Sequence, residues 1–261
     1  MLNNFIFQSP GDVAFKIFNF PVYYYGIIIS FAIFAGYLIA YYLFKKYYDT
    51  EKAKHIIDFS PLLIILGIAG ARLYYCAVNF SYYTNHPLEI LNIRQGGLSI
   101  HGMIIFGIIS LYIFSKHYKI SFKKLADVFL CGSIFAQSIG RWGNFFNSEA
   151  FGTPTDLPWK LFISPSHRPV EYLNSEYFHP TFLYESILDF FIFVILLTLF
   201  KKLSKTPGRI ACIYLILYSA ARIAVESCRI DSVLSFAGFP IAQIVSAFLI
   251  LAGIVFLFML K

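Results

Sequence analysis

Seven apolar runs, each about as long as a bilayer-spanning helix, alternate with shorter polar stretches along the 261-residue chain. They cover residues 22–44, 56–78, 98–114, 125–146, 182–200, 210–228 and 240–260. A hydrocarbon core of about 30 Å takes roughly 20 apolar residues in a helix, so each run predicts a membrane helix. Residues 1–20 lack the basic start of a cleaved signal peptide, and the first run is expected to stay as a helix. The longest polar interval, 147–180, is rich in Pro, Ser and Thr and is expected to form a small external cap. The expected fold is an all-α integral membrane protein: one polytopic domain over 1–261, a bundle of about seven transmembrane helices.

Composition agrees. Hydrophobic residues make up 58% and charged residues 13%, with a mean hydropathy of +0.67, more apolar surface than a soluble domain of this size can hide. Lysines set the orientation. Lys45, Lys46, Lys52 and Lys54 follow the first run, Lys116, Lys119, Lys123 and Lys124 the third, and Lys201, Lys202, Lys205 and Arg209 the fifth. With Lys261 these are thirteen of twenty-one basic residues, while the alternate loops hold only Lys16, Arg94, Lys160 and Arg168. The positive-inside rule then places the N-terminus outside and the C-terminus in the cytoplasm. The net charge of +7 is thus a topology signal and not a nucleic-acid footprint. Tyr23, Tyr24, Tyr25, Tyr82 and Tyr83 fall where an interfacial aromatic belt is expected.

Polar residues inside the runs carry the chemistry, because a charge at mid-bilayer costs roughly 2.5–3.5 kcal/mol on insertion scales. Given the orientation, Arg72, His101, Arg141, Asn144, Glu185, Arg222 and Glu226 all fall in the outer half of the membrane, a depth suited to a lipid headgroup. Arg141 lies in Gly140-Arg-Trp-Gly-Asn-Phe-Phe-Asn-Ser-Glu-Ala-Phe-Gly152, flanked by Gly140 and Gly143, where guanidinium donors can fork onto phosphate oxygens. Tyr218, Arg222, Glu226 and Arg229 are spaced to share one helix face, and Arg222 and Glu226 fit either a site or a mutual ion pair. Arg72 and Arg229 read as structural. His101, between Ile100 and Gly102, is a candidate proton acceptor with room beside its imidazole. Cys76, Cys131, Cys212 and Cys228 show no metal-ligand or disulfide spacing.

These motifs identify the chain as resembling the bacterial prolipoprotein diacylglyceryl transferases. The likeness rests on the 140–152 motif, His101-Gly102, residues 179–185 and residues 218–229, in order over nearly the whole chain. Two departures are Met103 and Ser148, where that family usually has glycine. The resemblance implies transfer of a diacylglyceryl group from phosphatidylglycerol to the lipobox cysteine thiol of a prolipoprotein signal peptide. A thioether forms and glycerol phosphate leaves, in the bacterial inner membrane at the outer leaflet, with no cofactor or metal. It implies that Arg141 and Arg222 hold the phosphate and His101 assists the thiol, with Tyr25, Asn144, Glu149, Gly152, Tyr218 and Glu226 completing the substrate-binding set. A transporter or channel for an organic anion, lined by the same arginines, is the alternative. A metal-dependent phosphotransferase would need clustered carboxylates on one helix, and no run supplies them.

Overall fold

The structure is a computed structural model that describes residues 6–93, 96–230, 235–236 and 238–260. Arg94 and Lys261, both counted in the charge pattern, lie outside the described residues. Each predicted run is a helix, matched within three residues at either end: α1 (Tyr24–Tyr47), α2 (Ala53–Val78), α4 (Ile100–His117), α5 (Phe122–Phe146), α6 (Thr181–Leu203), α7 (Arg209–Glu226) and α8 (Ile241–Met259), with a short α3 (Phe80–Asn85) between α2 and α4. Helices α1, α2, α4, α6 and α8 are long and apolar enough to cross a membrane. The other two long ones, α5 and α7, carry Arg141 and Arg222, and their polar residues lower their hydropathy. Residues 1–40 with 127–261 pack as one unit, and 41–126 as another.

In the larger unit, small residues bring α1 and α5 together. A methyl group added to Gly36 would lie 2.6 Å from the Gly132 carbonyl oxygen and 3.0 Å from Ala136 Cβ, and Gly132 faces Ala40. Gly36 and Ala40 on one helix thus oppose Gly132 and Ala136 on the other, a small-xxx-small contact that lets membrane helices pack backbone to backbone. Further along the same antiparallel contact, Gly140 meets Ile29 and Gly143 meets the Tyr25 ring. The glycines around Arg141, read from sequence as room for a ligand, are therefore filled by α1.

Asp127 sets the register of α7. Fully buried near the start of α5, it accepts the Gly208 N–H at 2.8 Å and the Ala211 N–H at 2.9 Å, capping α7 from another helix. From this shared level, Arg141 lies 14 residues along α5 and Arg222 lies 14 residues beyond Gly208. At the helical rise both climb about 21 Å, which brings the two arginines to one height.

A hairpin ahead of α1 had no counterpart in the sequence reading. Strands β1 (Val13–Ile17) and β2 (Phe20–Tyr23) form an antiparallel hairpin leading into α1. Its turn residues Phe18 and Asn19 have φ of 46° and 68°, as tight hairpin turns require. The segment between α5 and α6 is also compact. Its strands β3 (Leu161–Phe162) and β4 (Tyr177–Phe178) pair antiparallel, and Phe151, Leu161, Ile163 and Phe178 share a core with Phe145 of α5 and Phe182 of α6.

In the smaller unit, α4 crosses α2 where Gly102 meets the Gly70 carbonyl and Tyr74. Gly102 thus makes room for a helix and not for a ligand beside His101. Arg72 organises the chain before α4. Its Nε donates to Ile90 O, Nη1 to Gly96 O and Gly97 O, and Nη2 to Glu89 O and Asn92 O. All five guanidinium protons go to backbone carbonyls, and Tyr83 packs over the guanidinium at 5.2 Å. Tyr83 is accordingly buried, where an interfacial anchor was expected.

If Asp127 registers α7, Asp127→Ala leaves two helix-end N–H groups unpaired and should cost about 1–3 kcal/mol, with Asp127→Asn losing less. Thermal unfolding in detergent reads this, and an unchanged Ala variant would show that α7 is registered by other contacts.

Candidate active site

One carboxylate gathers the charged residues of three helices. Glu185 of α6 is 5% exposed. Its Oε2 pairs with Arg141 Nη2 of α5, while Oε1 accepts from Arg222 Nη1 at 2.6 Å and from Arg229 Nη1 at 2.8 Å. Arg222 also pairs through Nη2 with Glu226 Oε2 at 2.7 Å. Among the described residues, three guanidinium groups thus meet two carboxylates. The carboxylates are sealed, whereas the Arg141 and Arg222 side chains remain 23% and 20% exposed. An anion can therefore approach the cationic side only.

Neighbouring residues are seated on this cluster by local chain geometry. Packing on Gly143 holds the Tyr25 ring within electrostatic reach of Arg141 and Glu149. Beyond α5 the chain turns sharply: Glu149 N–H donates to Asn144 O at 3.0 Å, and Asn144 Nδ2 donates to Glu149 Oε1 at 2.8 Å. The turn places Ser148 and Ala150 at φ of 52° and 54°. Gly152 is then wedged against the Cys228 carbonyl, Thr181 and His179. Its N–H donates to His179 O at 2.8 Å, and Thr153 N–H donates to Cys228 O at 2.9 Å, which ties the end of α7, and with it Arg229, to the segment after α5. Tyr218 stacks on Tyr214 with ring centroids 5.5 Å apart and lies in the field of Arg141, Arg222 and Glu185.

The expected site residues Tyr25, Arg141, Asn144, Glu149, Gly152, Tyr218, Arg222 and Glu226 all belong to the larger unit. His101 belongs to the smaller one. Its imidazole is exposed at the start of α4, with Ser99 Oγ 3.5 Å from Nδ1. Arg72 is fully used by carbonyls and holds no free fork for phosphate. Arg229, read as structural, joins the cluster. Glu185 was noted for its depth alone; its spacing from Arg141 and Arg222 in sequence, 44 and 37 residues, hides that it touches both.

The family model for prolipoprotein diacylglyceryl transferase matches residues 12–259. The chain belongs to the prolipoprotein diacylglyceryl transferase family. Relatives bearing the name phosphatidylglycerol–prolipoprotein diacylglyceryl transferase include one from Acaryochloris marina, 44% identical over 260 residues and spanning 98% of this chain and 94% of its own. Another, from a Synechocystis species, is 44% identical over 263 residues, spanning 98% and 92%, and one from a Synechococcus species is 44% identical over 262 residues, spanning 95% and 92%.

Both departures from the usual diacylglyceryl transferase motif have a local explanation. Ser148 sits in the left-handed region where glycine is unstrained, and the Asn144–Glu149 bonds close the turn around it. Met103 fills the space beside Gly67, 3.6 Å from where a methyl group there would lie.

Removing the shared carboxylate should be severe. Breaking one partner out of a buried ion pair costs about 3–5 kcal/mol, so Glu185→Gln should lower the unfolding free energy by at least that range's lower end and abolish transferase activity. Thermal unfolding with a parallel activity assay checks it. A stable, active Glu185→Gln protein would mean that the arginines are held by other contacts.

Proposed function

We infer that this chain transfers the diacylglyceryl group of phosphatidylglycerol to the thiol of a prolipoprotein's lipobox cysteine, forming a thioether and releasing glycerol phosphate. The observation that carries this reading is the pair of partly open arginines, Arg141 and Arg222, oriented by one buried carboxylate and suited to a phosphodiester monoanion. Membership of a transferase family active in lipoprotein biosynthesis fixes the reaction type, and the relatives' name supplies both substrates. The thiol sulfur attacks the glycerol carbon while the bond from that carbon to the phosphate oxygen breaks. Negative charge grows on the departing phosphate, and Arg141 and Arg222, already oriented by Glu185, stabilise it most in the transition state. Because the guanidinium groups are fixed in advance, little reorganisation remains at the moment of reaction.

His101 is the group we assign to assist thiol deprotonation. A thiol of ordinary pKa, about 8.5, is only a few per cent thiolate near neutrality, and an exposed imidazole at the start of α4 is suited to accept its proton. Tyr25, Asn144, Glu149, Gly152, Tyr218 and Glu226 complete the binding set. The transfer needs no enzyme cysteine. Cys76, Cys131 and Cys212 are buried and Cys228 is half-buried, so direct displacement by the substrate thiol is the simpler route.

We further place all seven long helices across the bacterial inner membrane as one polytopic domain. The N-terminus and the 147–180 cap lie outside, and the lysine-rich loops lie in the cytoplasm. Supporting this, Lys45 and Lys46 end α1, Lys116 ends α4, and Lys201 and Lys202 end α6. The transporter alternative loses ground because the family is one of transferases.

The test is to incubate the purified protein with phosphatidylglycerol and a lipobox peptide and to weigh the peptide. The expected result is a mass gain of one diacylglyceryl group. Arg141→Lys and Arg222→Lys should each lose at least tenfold in rate while still folding, since a lysine supplies a point charge without the planar fork. His101→Ala should be severely impaired. Unmodified peptide with the wild type, or near-normal rates in both lysine variants, would overturn the reading.

A further inference from the structure

Asp189 is a buried acid that the mechanism above leaves unused. It lies one turn beyond Glu185 on the same face of α6, is 2% exposed, and its Oδ2 has no hydrogen-bond partner. The charged and titratable groups facing it are Arg141 from α5, Tyr214, Tyr218 and Arg222 from α7, and Glu185 on its own helix. Gln137 Oε1 on α5 and Ser219 Oγ on α7 are likewise buried without partners, so an unsatisfied polar layer underlies the arginine cluster.

Isolated carboxylates are not tolerated in such surroundings unless something offsets their charge. Here the offset is the positive field of Arg141 and Arg222. A phosphodiester that binds those two arginines brings one negative charge into the same region of low dielectric and cancels that offset. Uptake of one proton by Asp189 removes the uncompensated charge, with no bond made or broken apart from the O–H.

We propose that Asp189 is the binding-linked proton acceptor of the phosphate site: ionised while the site is empty, and protonated from solvent as the phosphodiester anion enters. This rests on the assignment of the phosphate to Arg141 and Arg222. The affinity then falls as pH rises through the window where the empty site is ionised and the filled site protonated, by up to tenfold per pH unit.

The experiment is calorimetric titration of the full chain in detergent with dihexanoyl phosphatidylglycerol, whose single charge is constant across the neutral range. Running it in two buffers of different ionisation enthalpy counts the protons taken up. The wild type should take up close to one proton per lipid at the centre of that window. Asp189→Asn should take up none, bind with flat pH dependence, and bind more tightly than wild type at alkaline pH, whereas a purely structural role would only weaken binding. Asp189→Glu should recover the uptake. On the wild type alone, an infrared difference spectrum should gain a protonated-carboxyl C=O band on binding, which keeps the test independent of whether Asp189→Asn folds. Wild-type proton uptake in Asp189→Asn, or binding by the wild type without uptake or the carboxyl band, overturns this inference alone. A wild type that does not bind the lipid overturns the phosphate assignment with it.

Discussion

Arg141 of α5, Arg222 of α7 and Arg229 just beyond α7 converge on Glu185, and the rest of the site depends on that carboxylate. Guanidinium groups placed together in a membrane repel one another and pull towards water. A shared buried anion reverses the balance and fixes their orientation before any substrate arrives. The carboxylates are buried while Arg141 and Arg222 stay partly open, so stability and function are in tension at this point: an acid facing the opening would stabilise the empty site and close it.

The convergence is made possible by packing elsewhere. Gly36 and Gly132 let α1 and α5 approach backbone to backbone, and Tyr25 reaches the cluster because Gly143 has no side chain to exclude its ring. Asp127 pins the start of α7 at the level where α5 begins to be buried, so Arg141 and Arg222 arrive at matching heights. At the other end, the turn through Ser148 and Ala150 and the wedge of Gly152 tie the exit of α5 to the end of α7. The Gly36–Gly132 contact and the Asp127 bonds sit well away from the cluster along the helices, yet they set where its guanidinium groups stand.

Much of this was legible in the sequence, for physical reasons that also mark its limits. The seven helices were readable because lipid exposure demands a long apolar run for each. The arginines, Asn144 and Glu226 stood out because polar groups inside such runs need a cause, whereas Glu149, outside them, entered through the family resemblance. What periodicity could not show was partnership across helices. Glu185 shares no short spacing with its arginines, and Arg72, read as structural, gave no sign in sequence of the five carbonyls it holds. Glycines were misread in the same way. Gly102 and Gly143 were taken as space for a ligand, whereas a neighbouring helix fills that space. The hairpin before α1 was missed although Asn19 stands at its turn and β-prone residues flank it, since an apolar stretch ahead of a membrane helix reads as part of the membrane segment.

The most direct test of the central claim is a structure of the full chain in lipid nanodiscs with a non-cleavable phosphatidylglycerol analogue bound. The account predicts the phosphate within hydrogen-bond reach of both Arg141 and Arg222, with Glu185 still holding Arg229. A phosphate bound elsewhere, with Arg141 and Arg222 still closed on Glu185 and Glu226, would contradict it.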